Sequence, residues 1–255
     1  MRNTEKQIKT LAVAFLLALG IVLQSCSDSD DPSTTRVGLQ MKATTSLSSL
    51  RTGRTQNSGL EFQQVLIGVT EIEFETLEEE QSEDSDEYED ADGDGEDDSE
   101  EIEFEGEYVV DLINGTSTPD FGVSTLLPGV YEEVELEMEP ILDGGNTMFI
   151  VFEYTPDGGT PVTVEYSNSY DIEFELEKDG GFTVDEGSLN RLLILLDLDA
   201  LFSGVNLNAA QAGTDDIVRI NENSNPGLAS AIENNLDKVL EAGEDDDDDG
   251  DFDDD

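Results

Sequence analysis

The 255-residue chain contains no histidine. That absence removes Ser-His-Asp and Cys-His nucleophilic catalysis, histidine general bases and histidine-ligated zinc together. Cysteine occurs once, as Cys26, and a lone thiol cannot close an internal disulfide. Basic residues are scarce too: 11 Lys and Arg stand against 63 Asp and Glu, a formal charge of −52. Such a charge disfavours nucleic acid and anionic membrane surfaces as partners. No phosphate-cradling P-loop is present, and no apolar run reaches the roughly 18 residues of a membrane-spanning helix.

The N-terminus carries the clearest signal. Arg2, Lys6 and Lys9 precede an apolar run from Leu11 to Leu23, and small polar residues follow. The basic-then-apolar order is that of an export peptide. Leu23-Gln24-Ser25-Cys26 resembles the bacterial lipoprotein signal, in which cleavage leaves an acylated N-terminal cysteine. The resemblance implies a signal peptide over 1–25, lipidation of Cys26 and a tether over 26–35. One acyl chain holds a protein only marginally, at about 0.8 kcal/mol per buried methylene, so a stable anchor implies more than one. The acidic run Ser27-Asp28-Ser29-Asp30-Asp31 resembles the sorting signal of Bacteroidota-type lipoproteins. That favours an outer-membrane location, surface-exposed over periplasm-facing. Removing residues 1–25, which carry three basic groups and Glu5, leaves the mature chain at −54.

The body, 36–243, reads as one β-domain, long enough to bury a core. Val37, Leu39, Met41 and Ala43 alternate with polar residues or glycine, the period of a half-buried strand. A loop over 44–59 holds Arg51 and Arg54, the only clustered positive charge of the mature body. In the next strand, 60–76, the apolar positions change parity between Val69 and Ile72, so a bulge near Thr70 is expected to restore the face. Residues 77–100 read as an acidic, disordered insertion in a hairpin that resumes at Ile102. Asp143-Gly144-Gly145-Asn146, Asp157-Gly158-Gly159 and Asp179-Gly180-Gly181 predict hairpin turns between further strands. Leu192 to Leu198 is expected to be a buried central strand, with a helical turn to Phe202. From Asn225-Pro226, Leu228, Ile232, Leu236, Val239 and Leu240 predict a C-terminal amphipathic helix. Residues 244–255 read as a polyacidic disordered tail. The fold class expected is all-β, an antiparallel β-sandwich with that helix packed on it.

Two patterns carry candidate chemistry. Glu71-Ile72-Glu73-Phe74-Glu75 recurs at 101–105 and, with Asp171, at 171–175, and Val134-Glu135-Leu136-Glu137-Met138-Glu139 repeats its logic. Each predicts a strand with an apolar inner face and an outer row of carboxylates, whose mutual repulsion salt or divalent cations would relieve. Asp90, Asp92, Asp94, Glu96 and Glu101 fit the spacing of a calcium loop, with Gly95 at the tight turn. A tract this acidic also generates such spacings by chance.

Val110-Asp111-Leu112-Ile113-Asn114-Gly115, Leu126-Leu127-Pro128-Gly129-Val130-Tyr131 and Leu195-Leu196-Asp197-Leu198 with Phe202 together resemble the "domain of unknown function 4382" family of bacterial lipoproteins. The resemblance spans roughly 36–240. It implies an immunoglobulin-like or transthyretin-like sandwich in the envelope and supplies no catalytic residues. The first strand departs from that family, with Lys42-Ala43-Thr44-Thr45 where an Asp-Ala-Pro turn is expected. The function expected is therefore non-enzymatic: a lipid-anchored envelope module that binds an extracellular polymer, a partner protein or divalent cations, calcium among them. The alternative is a carboxylate-dependent envelope hydrolase, or an accessory subunit of an envelope enzyme or uptake system, because glycoside hydrolysis needs only two positioned acids.

Overall fold

A computed structural model of the chain describes residues 35–45, 60–76, 102–126, 128–156, 158–186, 189–245, 250 and 252. Cys26, the Arg51 and Arg54 pair and the whole calcium-loop pattern from Asp90 to Glu101 lie outside these residues.

The architecture is built around β2 (Leu60–Thr76), the longest strand. Its alternating apolar residues Val65, Ile67 and Val69 are buried, and Thr70 is the expected bulge: the register shifts between Val69 and Glu71, after which Ile72 and Phe74 return to the core. One edge of β2 pairs with β3 (Ile102–Glu103) and β4 (Tyr108–Asp111), with β5 (Thr116–Thr118) paired to β4, so the strands on either side of residues 77–100 are antiparallel neighbours. The other edge takes two strands end to end. β7 (Gly129–Met138) pairs with Val69 to Thr76, and β8 (Met148–Tyr154) pairs with Leu60 to Ile67.

The turn at Asp143 to Asn146 therefore does not join a hairpin of β7 and β8. It tips a loop that leaves the sheet between two collinear strands, because β2 is long enough to template both. Gly68 sits where the loop departs, its N–H donating to Thr147 O and its O accepting from Glu139 N. A β-carbon there would lie 2.6 Å from Glu139 O, so glycine is required for the close approach.

β9 (Val162–Asn168) adds to β8 as the expected hairpin, and β12 (Val218–Ile220) pairs parallel to β9. β10 (Ile172–Val184) adds to β7. The predicted turn at Asp179-Gly180-Gly181 is instead a bulge within this one strand. Residues on both sides of it pair with the same β7, and Gly181 absorbs the irregularity at φ +75°.

A second sheet holds, in order, β13 (Leu240–Glu244), β11 (Leu189–Asp197), β1 (Thr35–Thr44) and β6 (Val123–Leu126). β1 pairs antiparallel with β6 but parallel with β11, so the sandwich is not antiparallel throughout. Leu192 to Leu196 are all buried, as expected of a central strand. The inner faces of both sheets share one apolar cluster that includes Met41, Ile194, Ile67, Phe152 and Phe202. The fold is thus an all-β sandwich.

The C-terminal helix is shorter than expected. α1 (Leu198–Leu201) is the predicted helical turn, capped by the Asp197 carboxylate, but α2 runs only from Pro226 to Glu233. Asn235 then donates from its side chain to Leu201 O and Ser203 O, at 2.8 and 3.0 Å. Those bonds draw the chain out of the helix, and Leu240–Glu244 becomes β13 on the edge of β11. Ile232, Leu236, Val239 and Leu240 are buried as expected, but Ile232 lies in α2, Leu236 in a 3-10 turn (Leu236–Lys238) that Val239 caps, and Leu240 in the strand. The strand takes in Glu244, where the sequence suggests that the tail begins, and Asp245 beyond it is buried.

Candidate functional site

The four carboxylate-bearing strands come together. In the order β10, β7, β2, the register aligns Glu173 with Glu137 and Glu71, and Glu175 with Glu135 and Glu73. A third row pairs Glu133 with Glu75, and Glu73 faces Glu103 of β3 on its other side. The intervening residues Ile72, Phe74, Val134, Leu136, Ile172 and Phe174 are buried. Alternation therefore sends every carboxylate named in these rows of β10, β7 and β2 to the opposite face of the sheet.

This face concentrates charge: β2 and β7 contain no lysine or arginine, and Lys178 is the one basic residue of β10. Carboxylate oxygens of Glu133, Glu135 and Glu175 lie within 4.8 Å of one another. Glu135 occupies the middle strand and the middle row. Its carboxyl is held above the ordinary value of 4.5, first by burial and then by the charges of Glu75, Glu133, Glu173 and Glu175. Oxygens at this spacing can share a divalent cation, whose charge would replace repulsion with attraction. Glu75, Glu173 and Glu175 are exposed, so the face is open to solvent.

The sequence motif identified the outward glutamates of β2, β7 and β10. It did not place Glu133, Glu135 and Glu175 together, because that requires β7 to lie between β2 and β10. The shared pattern of the four segments was the available signal; their order in the sheet was not. The structure neither assembles nor separates the calcium-loop residues Asp90, Asp92, Asp94, Glu96 and Glu101, nor the lipidation residue Cys26, all of which lie outside the described residues.

No family model, no curated protein and no solved structure matches the chain.

Proposed function

We propose that the protein is a non-enzymatic, lipid-anchored module of the outer membrane, displayed at the cell surface, whose glutamate ladder takes up divalent cations, calcium foremost. The observation that carries the cation reading is the register of β10, β7 and β2, which stacks like charges in rows where a random arrangement would disperse them. Cross-strand like charges each cost up to about 1 kcal/mol, so ligands that neutralise them are favoured. Mg2+ demands near-ideal octahedral geometry and dehydrates reluctantly, so flexible glutamates on an open face suit Ca2+ better. The same openness argues against a hydrolase, which needs two carboxyls set apart from their neighbours and a substrate held between them.

Calorimetric titration of the full-length chain with CaCl2 is expected to give a dissociation constant of about 10⁻⁴–10⁻³ M, in the range of extracellular calcium modules. Glu133→Gln, Glu135→Gln and Glu175→Gln combined should weaken it at least about tenfold, whereas Asp92→Asn with Asp94→Asn should not. Equal heats from wild type and the triple variant would remove the ladder from the reading. Loss confined to the aspartate pair would move the site to the acidic insertion.

The anchor rests on Leu23-Gln24-Ser25-Cys26. Among the described residues no helix is long and apolar enough to cross a membrane. Cys26→Ala is expected to shift the protein from the membrane fraction to the soluble fraction, with the loss of metabolically incorporated palmitate as the second readout. Retention of the variant with the membranes would count against lipid anchoring.

A further inference from the structure

A second site lies away from the glutamate ladder. The loop between β7 and β8, the turn between β9 and β10 and the loop after β12 enclose a cleft of about 250 Å³, with Glu233 of α2 at its side. Its lining is almost wholly polar and uncharged. Asn146, Ser167, Ser169, Tyr170 and Asn223 contribute amides and hydroxyls, and among the described residues Glu222 and Glu233 are the only charges.

The walls are held before any ligand arrives. Asn168 is buried; its Oδ1 accepts from Met148 N at 3.0 Å and its Nδ2 donates to the Tyr166 hydroxyl at 3.3 Å. Thr147 Oγ1 donates to Tyr170 O at 2.7 Å, which fixes the turn that carries the Tyr170 ring. On the opposite rim, Asn221 Oδ1 accepts from the N–H groups of Asn223 and Ser224, at 3.0 and 2.8 Å. Asn146 Nδ2 donates to Asp143 O at 2.9 Å and ties down the third side. A site held by its own hydrogen bonds orders few groups on binding.

The lining selects among ligand classes. With two carboxylates and no basic side chain among the described residues of its lining, on a chain of −52, the cleft repels anions. Glu222 already accepts from Asn223 Nδ2 at 2.9 Å, and neither Glu222 nor Glu233 belongs to a convergent set of three metal-ligating groups among the described residues. A multivalent cation therefore finds no cage here. An apolar ligand would strip water from the donor and acceptor capacity that these bonds leave over, without replacing it. What remains is a neutral molecule whose every polar group both donates and accepts, matched to amides and hydroxyls that do the same. Tyr170 adds an amphipathic ring, 41% exposed, whose face can cover the C–H surface of such a ligand. Burial first and the Glu233 charge next push the Tyr170 hydroxyl above the ordinary tyrosine range, so it stays protonated.

We infer that this cleft binds a neutral saccharide unit, with Tyr170 stacking against the ring and Asn146, Asn223 and Glu233 reading its hydroxyls. The site is independent of the ladder. The test is saturation-transfer NMR of the full-length chain with maltotetraose, cellotetraose and chitotetraose as neutral probes and sialyllactose as the anionic control. At least one neutral probe is expected to bind at millimolar affinity and sialyllactose more weakly. Tyr170→Ala and Asn223→Ala should each weaken that binding about tenfold, the loss of one stacking surface or one buried polar contact. Asn223 is exposed and its backbone bond to Asn221 survives the substitution, so this variant reports on binding even if Tyr170→Ala fails to fold. Glu135→Gln on the ladder should leave sugar binding unchanged. Absence of transfer to all three neutral probes, stronger binding of sialyllactose, or full affinity in Asn223→Ala overturns the inference.

Discussion

Phe202→Ala is expected to lower the free energy of unfolding by about 3–5 kcal/mol. Phe202 caps α1 and is 1% exposed, and its N–H donates to Leu198 O. Its ring centroid lies 4.8 Å from Phe152, 5.7 Å from Phe62 and 6.4 Å from Tyr166. Those three partners belong to β8, β2 and β9 of one sheet, whereas α1 continues directly from β11 of the other. One ring thus fills the space between the layers. Truncating it removes the transfer free energy of the ring, leaves a cavity among partners fixed by their own strands, and forfeits aromatic contacts of about 0.5–1.5 kcal/mol each. Urea unfolding is the measurement. Phe121→Ala is the comparison, since that ring is only partly buried and its ring contact is to Tyr108. A loss in Phe202→Ala no larger than in Phe121→Ala would show that the layers close over the gap.

That prediction depends on the part of the molecule most legible in the sequence. The parity change between Val69 and Ile72 revealed a bulge because side-chain alternation has a strict period of two, and any break must be absorbed where it occurs. The unbroken apolar run of β11 marked a strand covered on both faces. Where the reading failed, the deciding interactions were distant in sequence. The glycine pairs at 144–145 and 180–181 share one composition but form a loop tip in the first case and a bulge in the second. Which one results depends on whether the flanking segments meet each other or a common neighbour. Likewise Leu236 to Leu240 keeps helical spacing, yet Asn235 is captured by carbonyls of Leu201 and Ser203, and from Leu240 onward the open edge of β11 takes the chain as β13. Tertiary pairing overrode a local pattern in both places.

The same division applies to the ladder. Outward glutamates were legible strand by strand, but their stacking has consequences only a register reveals. In calcium-free buffer the protein is expected to lose stability as pH rises from about 4 towards neutrality. The Glu135 carboxyl is raised above 4.5 in the folded state by burial and by its glutamate neighbours, so the folded protein retains a proton that the unfolded chain has released. That contribution is fully present below 4.5 and is lost as pH climbs through the raised value. Asp199, raised by burial and by Asp197, acts in the same direction. Asp215 runs the other way, because its bond with Arg219 holds it low and its contribution is lost only in acid. Glu135→Gln should therefore flatten the profile and raise neutral-pH stability, by up to about 1 kcal/mol for each of its cross-strand pairs with Glu175 and Glu73. Calcium should act at the same place by a different route. At one hundred times its dissociation constant it adds about 2.7 kcal/mol to the folded state, and it competes with the proton, so its effect grows as pH rises. Thermal unfolding from acid to neutral pH, with and without calcium, separates these terms in wild type and in the Glu133→Gln, Glu135→Gln, Glu175→Gln variant. If calcium raises the melting temperature of both proteins equally, the ladder is a solvated acidic surface and the cation acts elsewhere. If it raises only that of the wild type, the rows of glutamate are the site at which ion binding and folding are coupled.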